Sequence, residues 1–172
     1  GAVYINSQSG NSTFTMTGGE IHSCFATGTF DDVGSLTDSG HGGAVCLMGG
    51  KVNMKGGKIW NNYSENGDGG AIYISNGNFA MTHSSPTITE SYPTITGNAA
   101  HKGNGGGVFV TSQGQEVTVD LLQGIITNNT SNNYGGGVCV DMGAEHHHAT
   151  VTVGADGQGV EESDANPKIT DN

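Results

Sequence analysis

Aliphatic side chains alternate with other residues in a short glycine-led segment that occurs five times along the chain. Each copy carries two aliphatic residues separated by one residue, and this period of two indicates a β-strand with one face in a core. We interpret the copies as equivalent strands of one repeat. They are GAVYI from Gly1, GGAVCL at 42–47, GGAIYI at 69–74, GGGVFV at 105–110 and GGGVCV at 135–140.

Two further apolar patterns follow each of these hexads. The first is a second alternating pair, which predicts a second inward-facing strand in each repeat. Its copies are Phe14 and Met16, Val52 and Met54, Phe79 and Met81, Val117 and Val119, and Val151 and Val153. The second is an isoleucine followed three residues later by asparagine, from which the first copy departs because Ile21 is followed by Cys24.

The asparagines of this third pattern are predicted to be structural. They fall where the chain turns a corner, and a side-chain amide both donates and accepts, so it can link one repeat to the next as a ladder. Cys24 takes the same position in the first repeat. The predicted ladder consists of Asn62, Asn98, Asn129 and Asn172.

Three short apolar sides per repeat, joined by Gly, Asn, Ser and Thr turns, predict a coil of triangular cross-section. One coil cannot bury its own interior, whereas coils stacked at ~4.8 Å satisfy one another's backbone groups. We therefore expect an all-β chain folded as a single-stranded parallel β-helix of about five coils over residues 1–172. Insertions are expected at 22–41, around Pro86 and Pro93, and at 154–167.

Composition narrows the possible partners. The 172 residues include 31 glycines, and 5 basic residues, all lysine, oppose 16 acidic ones, for a formal net charge of −11. This balance excludes nucleic acid as a partner, because phosphate neutralisation needs clustered cations. It also disfavours a polybasic contact with a membrane, and no apolar run is long enough to span one.

The hexads and the Ile-x-x-Asn pattern resemble right-handed parallel β-helix proteins of bacterial surfaces. The polymorphic outer-membrane proteins of autotransporter type are similar, although they commonly carry Phe where this chain has Ile before x-x-Asn. The resemblance implies an extracellular, adhesin-like rod at the cell surface that binds a glycan or a host protein without catalysis. It also implies that further β-helix coils of a longer parent chain pack against this segment.

The residue between the two aliphatic positions of each hexad points outward, which makes it the first candidate for binding. A lane of aromatic rings beside small residues suits stacking against sugar rings or an extended peptide. Burial of this lane by neighbouring repeats or by an insertion is the alternative interpretation. The candidate ligand-binding residues are Tyr4, Tyr73 and Phe109, together with the outward-facing Trp60.

An enzyme acting on uronic-acid-containing polysaccharide is the alternative function. Asp31 and Asp32 followed by Gly40-His41-Gly42 resemble the carboxylate pair and Gly-His-Gly of polygalacturonases. The Asn-x-Asp and Arg-x-Lys elements of that family are missing, and Asp31, Asp32 and His41 lie in one insertion, so a polar surface loop explains them better. We therefore predict no catalytic residue.

No cofactor or metal is predicted. Three adjacent histidines on an extended segment point to alternating faces, so an exposed loop is favoured over a metal site. These are His146, His147 and His148. The three cysteines, Cys24, Cys46 and Cys139, are expected to be unpaired, because Cys46 and Cys139 belong to hexads three repeats apart.

Overall fold

A computed structural model describes residues 1–7, 11–83, 92–112, 114–142, 148–154 and 168–172 of the chain. Throughout this described part the protein is all-β without a helix, and so no helix in it could cross a membrane. The strands are β1 (Val3–Asn6), β2 (Thr13–His22), β3 (Phe25–Ala26), β4 (Thr29–Phe30), β5 (Leu36–Asp38), β6 (Val45–Trp60), β7 (Tyr63–Ser64), β8 (Ile72–Met81), β9 (Thr94–Thr96), β10 (Ala99–Ala100), β11 (Val108–Thr111), β12 (Val117–Leu121), β13 (Ile125–Thr127), β14 (Thr130–Ser131), β15 (Val138–Val140), β16 (Ala149–Val153) and β17 (Lys168–Thr170).

Eleven of these strands form one large parallel sheet that curls like a half-barrel. The long strand β6 pairs with β1 and β2 on one edge, and with β8 and β9 on the other. Equivalent positions of the five hexads lie directly beside one another in sequence order. Their first aliphatic residues run through the sheet as Val3, Val45, Ile72, Val108 and Val138.

The core contains the aliphatic residues that the alternation placed inside. Val45, Ile72 and Val108 are fully buried. At one end of the sheet Val151 and Val153 are exposed although their pattern predicted an inward face, because β16 pairs only with β12 among the described strands.

The second apolar row differs from the prediction in one repeat. Val119 pairs with Phe79, and Leu121 pairs with Met81, so the equivalent pair is Val119 and Leu121. The sequence analysis had assigned Val117 and Val119 to this row, so its assignment began two residues too early in the chain. Val117, Val119 and Leu121 share one buried face, so a period of two fits either assignment, and only the neighbouring strand distinguishes them.

The third apolar row is in register as well. Ile59 pairs with Ile21 on one side and with Ile95 on the other, and the row continues through Ile126 and Ile169. A separate four-stranded parallel sheet, β14-β10-β7-β3, follows immediately after this row. The sequence did not predict it, because strands of two residues are too short to show a period.

The predicted asparagine positions form a continuous chain of amide hydrogen bonds. The Asn98 amide donates from Nδ2 to Asn129 Oδ1 at 2.8 Å and to the Ile59 carbonyl at 3.1 Å. Asn98 Oδ1 accepts from the backbone N–H of Asn62 at 2.9 Å and from Asn62 Nδ2 at 2.9 Å. Asn129 binds Asn172 in the same way, and Asn62 Oδ1 accepts from the Cys24 N–H. Each buried amide therefore joins two repeats.

The paired glycines of the hexads have two separate physical roles. The leading Gly69 adopts a left-handed φ of 71°, which side chains disfavour. The second, Gly70, approaches the next repeat so closely that a Cβ there would lie 2.2 Å from the Gly106 carbonyl oxygen. The two requirements explain why both positions are glycine.

The predicted insertion at 22–41 contains an antiparallel hairpin formed by β4 and β5. Asp31 stabilises its turn, since Oδ1 accepts hydrogen bonds from the N–H groups of Val33 and Ser35 at 3.1 and 2.7 Å. Of the other predicted insertions, Pro86 and residues 155–167 lie outside the described residues.

We predict that replacing Asn98 by alanine destabilises the chain by about 3 kcal/mol, because several buried partners lose their hydrogen bonds at once. Urea unfolding followed by circular dichroism measures this change. Asn132→Ala, at an exposed asparagine, serves as the control and should change the free energy of unfolding by less than about 0.5 kcal/mol. Equal stability of the two variants would contradict the ladder's structural role.

Candidate binding cleft

A cleft of about 460 Å³ lies between the hairpin and the outward face of the first two hexads. Such a volume falls in the range of small-ligand sites, about 300–1,000 Å³. We call it the hairpin cleft. Its lining includes Tyr4, Phe25, Thr29, Asp38, His41, Cys46 and Met48.

A difference in side-chain size along the outward lane creates room for this cleft. Cys46 lies in register between Tyr4 on β1 and Tyr73 on β8. The small thiol side chain leaves a depression between the two larger rings, and Met48 lines the cleft two residues further along β6. Strand pairing therefore brings one small residue between two tyrosines.

Phe25 forms a second aromatic wall of the cleft. It lies on β3, where it pairs with Tyr63 of β7, and the two ring centroids are 4.7 Å apart. Its side chain is 63% exposed, and that of Tyr4 is 67% exposed. The cleft thus offers two accessible aromatic rings.

His41, at the base of the hairpin, covers the lane on the other side of Cys46. Its ring stacks on Tyr73 with a centroid separation of 4.2 Å, and its Nδ1 accepts a hydrogen bond from the Asp68 N–H at 2.9 Å. An Nδ1 that accepts carries no proton, so the neutral ring has its proton on Nε2. Burial lowers the pKa of His41, and this outweighs the opposite effects of Asp68 and Asp38.

The four candidate ligand-binding residues have different environments. Tyr4 lines the cleft, whereas Tyr73 and Phe109 are only 6% and 5% exposed. Their rings stack on each other at 5.7 Å, with His41 over Tyr73. The outward lane is thus covered at these two repeats, as the alternative interpretation held, and the exposed ring of the lane is that of Tyr4 in the hairpin cleft.

Trp60 lies apart from the cleft, on the outward side of the third row. Its indole N–H donates to Glu20 Oε2 at 2.9 Å, and its ring stacks on His22 at 4.7 Å. The ammonium group of Lys58 lies 5.1 Å from the ring centroid. The indole is thus held by three neighbours and belongs to a separate surface cluster.

The residues of the enzyme alternative are not brought together in the cleft. His41 lines it, whereas Asp31 and Asp32 do not, and Asp31 holds the hairpin turn. Across the described residues there is no group of three His, Cys, Asp or Glu side chains suited to a metal ion. His146 and His147 lie outside that part of the chain.

The sequence analysis missed several residues of the cleft, among them Phe25, Asp38 and Met48. Phe25 and Tyr63 each directly follow a ladder position, Cys24 and Asn62. This shared offset was a signal for an outward aromatic pair. Asp38 had none, because an acidic residue in an acidic insertion is unremarkable until its neighbours are known.

The cleft suppresses ionisation of the groups around Cys46. Burial, with the negative charge of Asp38 as the second cause, raises the pKa of the Cys46 thiol to about 11. Burial likewise raises the pKa of Tyr73 to about 12. A neutral thiol is a poor nucleophile, so Cys46 is suited to packing rather than covalent chemistry.

A surface cluster lies beside the cleft, behind Phe25. The Tyr63 hydroxyl donates to Glu65 and lies 2.6 Å from His101 Nδ1. The hydrogen bond from Tyr63, followed by interactions with His101 and Lys102, lowers the pKa of Glu65. Lys102 also donates to the Asn66 side chain, which in turn donates to the Thr27 carbonyl. The cluster thereby links the insertion to the four-stranded sheet.

Comparisons of the chain with protein-family models, with curated proteins and with solved structures find no match.

We predict that the stability of the chain decreases as the pH falls below 6.5, the ordinary pKa of histidine. The unfolded chain takes up a proton at His41 near that pH, whereas the folded chain does so only at a lower pH. The stabilisation that comes from the neutral His41 is therefore fully present above pH 6.5. It is lost as the pH falls through the pKa of His41 in the folded chain. Urea unfolding between pH 7.5 and 5, roughly the range where histidine titrates, measures this change in the free energy of unfolding.

His41→Phe should weaken this pH dependence, since phenylalanine keeps the stacking on Tyr73 but does not titrate. His22→Phe, at the exposed histidine stacked on Trp60, is the matched control and should retain the wild-type dependence. A full pH dependence in His41→Phe would show that His41 is not its origin.

We predict that Cys46 reacts slowly with iodoacetamide at pH 8, because its pKa of about 11 leaves little thiolate. Asp38→Asn should accelerate the reaction by removing a nearby negative charge. Mass spectrometry of labelled peptides measures the alkylation rate at each cysteine. Cys139 is the internal control, because its hexad lies three hexads after that of Cys46 and far from Asp38 in sequence. An unchanged Cys46 rate would contradict the placement of Asp38 in the cleft.

Proposed function

We propose that this chain is a right-handed parallel β-helix segment of an extracellular bacterial surface protein. In this proposal it acts as a non-catalytic, adhesin-like rod that binds glycan in the hairpin cleft, with further coils of a parent chain as packing partners. The observation that carries the binding role is the pair of accessible rings, Tyr4 and Phe25, which line the same cleft as Cys46.

The in-register pairing of equivalent repeats supports the β-helical part of the proposal. Three apolar rows continue from repeat to repeat, and the asparagine ladder joins the same repeats at one corner. Parallel strands connected through a crossover in one sheet are right-handed in about 98% of cases, which favours that hand here.

The chemistry of the cleft supports a glycan as the ligand. Aromatic rings provide flat apolar surfaces that stack on the apolar faces of sugar rings. Threonine hydroxyls and the Asp38 carboxylate supply a few polar groups around them, which is the usual composition of a small-ligand site. The described lining contains no lysine, which together with the net charge of −11 disfavours anionic polysaccharides.

We predict that Tyr4→Ala and Phe25→Ala each weaken glycan binding about tenfold, because each removes one stacking surface. A glycan array with neutral, amino and acidic sugars identifies the ligand, and calorimetric titration then measures its affinity for each variant. Tyr134→Ala is the matched control, since Tyr134 is 76% exposed and lies outside the cleft.

The same screen tests the proposal as a whole. Loss of binding in Tyr134→Ala, or retention of binding in both cleft variants, would remove the cleft from consideration. Release of sugar products from any polysaccharide in the panel would favour the polysaccharide-degrading alternative over a binding rod.

A further inference from the structure

We infer that the hairpin cleft selects glycans whose sugar rings carry a free, protonated amine, that is, hexosamine units without an N-acetyl group. This inference rests on the proposed glycan-binding function and specifies the chemical class of the ligand. It follows from the distribution of charge in the cleft, which favours a positive group at one position.

Among the described residues that line the cleft, Asp38 is the only acidic side chain and there is no lysine. Its Oδ1 accepts a hydrogen bond from the Gly40 N–H at 2.7 Å, which fixes the carboxylate at the end of β5. Within the described part of the chain, no amine or histidine lies at ion-pair distance from Asp38. The Gly1 amino group, which also lines the cleft, donates instead to the Phe25 carbonyl oxygen at 3.2 Å.

The charge of Asp38 acts across the cleft rather than only at its rim. It contributes to the raised pKa values of Cys46 and Tyr73, and it partly offsets the lowering at His41. The groups facing it are therefore a neutral thiol, a neutral phenol and a neutral imidazole. Among the described residues, a ligand amine would meet the Asp38 carboxylate and no lysine side chain, while the Gly1 ammonium, whose charge acts to lower the pKa of Cys46, is held at the Phe25 carbonyl.

The two accessible rings add a second attraction for a cation. An ammonium group near the face of a tyrosine or phenylalanine is attracted by the electron-rich face of the ring. Tyr4 and Phe25 line the same cleft as Asp38. An amino sugar satisfies both requirements, because its apolar ring face stacks while its ammonium group reaches the carboxylate.

The size of the cleft favours a sugar over a lysine side chain. At about 30 Å³ per water molecule, a volume of about 460 Å³ holds about 15 waters, which suits one or two sugar rings. A lysine side chain would fill little of this space, and ordering its flexible chain is entropically costly. A rigid ring loses less freedom on binding.

Titration of the folded chain with glucosamine oligomers and with N-acetylglucosamine oligomers of the same length tests the inference. We expect the amino form to bind about tenfold more tightly at pH 7 and low salt, and we expect Asp38→Asn to abolish this difference. Asparagine retains an oxygen that can accept from the Gly40 N–H, so the hairpin should persist. Asp32→Asn, an exposed carboxylate of the same insertion outside the cleft, should preserve the selectivity.

Alkylation of the cysteines locates the bound sugar. Bound glucosamine oligomers should change the labelling rate of Cys46, because they cover the thiol and neutralise the Asp38 charge, without changing the rate of Cys139. A urea unfolding midpoint of Asp38→Asn that matches the wild-type midpoint shows that the variant still folds. Equal labelling of Cys46 with and without bound glucosamine would overturn the assignment of the site.

The other outcomes separate the inference from the proposed function. Equal or tighter binding of the N-acetylated oligomers would overturn selection for an amine and leave glycan binding intact. Failure of every sugar in the array to bind the folded chain would overturn both. An Asp38-dependent preference for a lysine-rich peptide over glucosamine would identify a protein partner and also overturn the inference.

Discussion

The amide ladder is the interaction on which the rest of this architecture depends. Asn98 accepts from the backbone and the side chain of Asn62 and donates to Asn129. Asn129 accepts from Asn98 in the same way and donates to Asn172. A single residue therefore sets both the spacing and the register of two repeats. Because an unsatisfied amide in the core is costly, a displacement of one repeat against the next would break several hydrogen bonds together.

Register imposed in this way aligns the outward residues as well as the core. Tyr4, Cys46 and Tyr73 become neighbours only because their hexads pair residue by residue. How much of the outward lane is accessible then depends on the size of its side chains and on the parts of the insertion that pack over them. A cysteine between two tyrosines leaves space, and the insertion that carries His41 and Asp38 encloses that space on one side.

The electrostatic character of the cleft arises from the same arrangement. Burial keeps His41 neutral and raises the pKa of the Cys46 thiol, while Asp38 supplies negative charge at the cleft. In a chain with five basic and sixteen acidic residues, such a site is better suited to a positive than to a negative ligand. Binding and rigidity are thus properties of one scaffold, since the ladder that holds the strands also holds the rings at the cleft.

The sequence alone was sufficient for the strands of the three apolar rows, the equivalence of the hexads and the ladder positions, because each depends on a short pattern repeated along the chain. It was not sufficient for the pairing of Val119 and Leu121, since any two of three alternating apolar residues satisfy a period of two. Nor could it place His41 over Tyr73, or Phe25 and Asp38 beside Tyr4. Those contacts join residues far apart in sequence, and the path of a non-repeating insertion is decided by packing against the finished sheet.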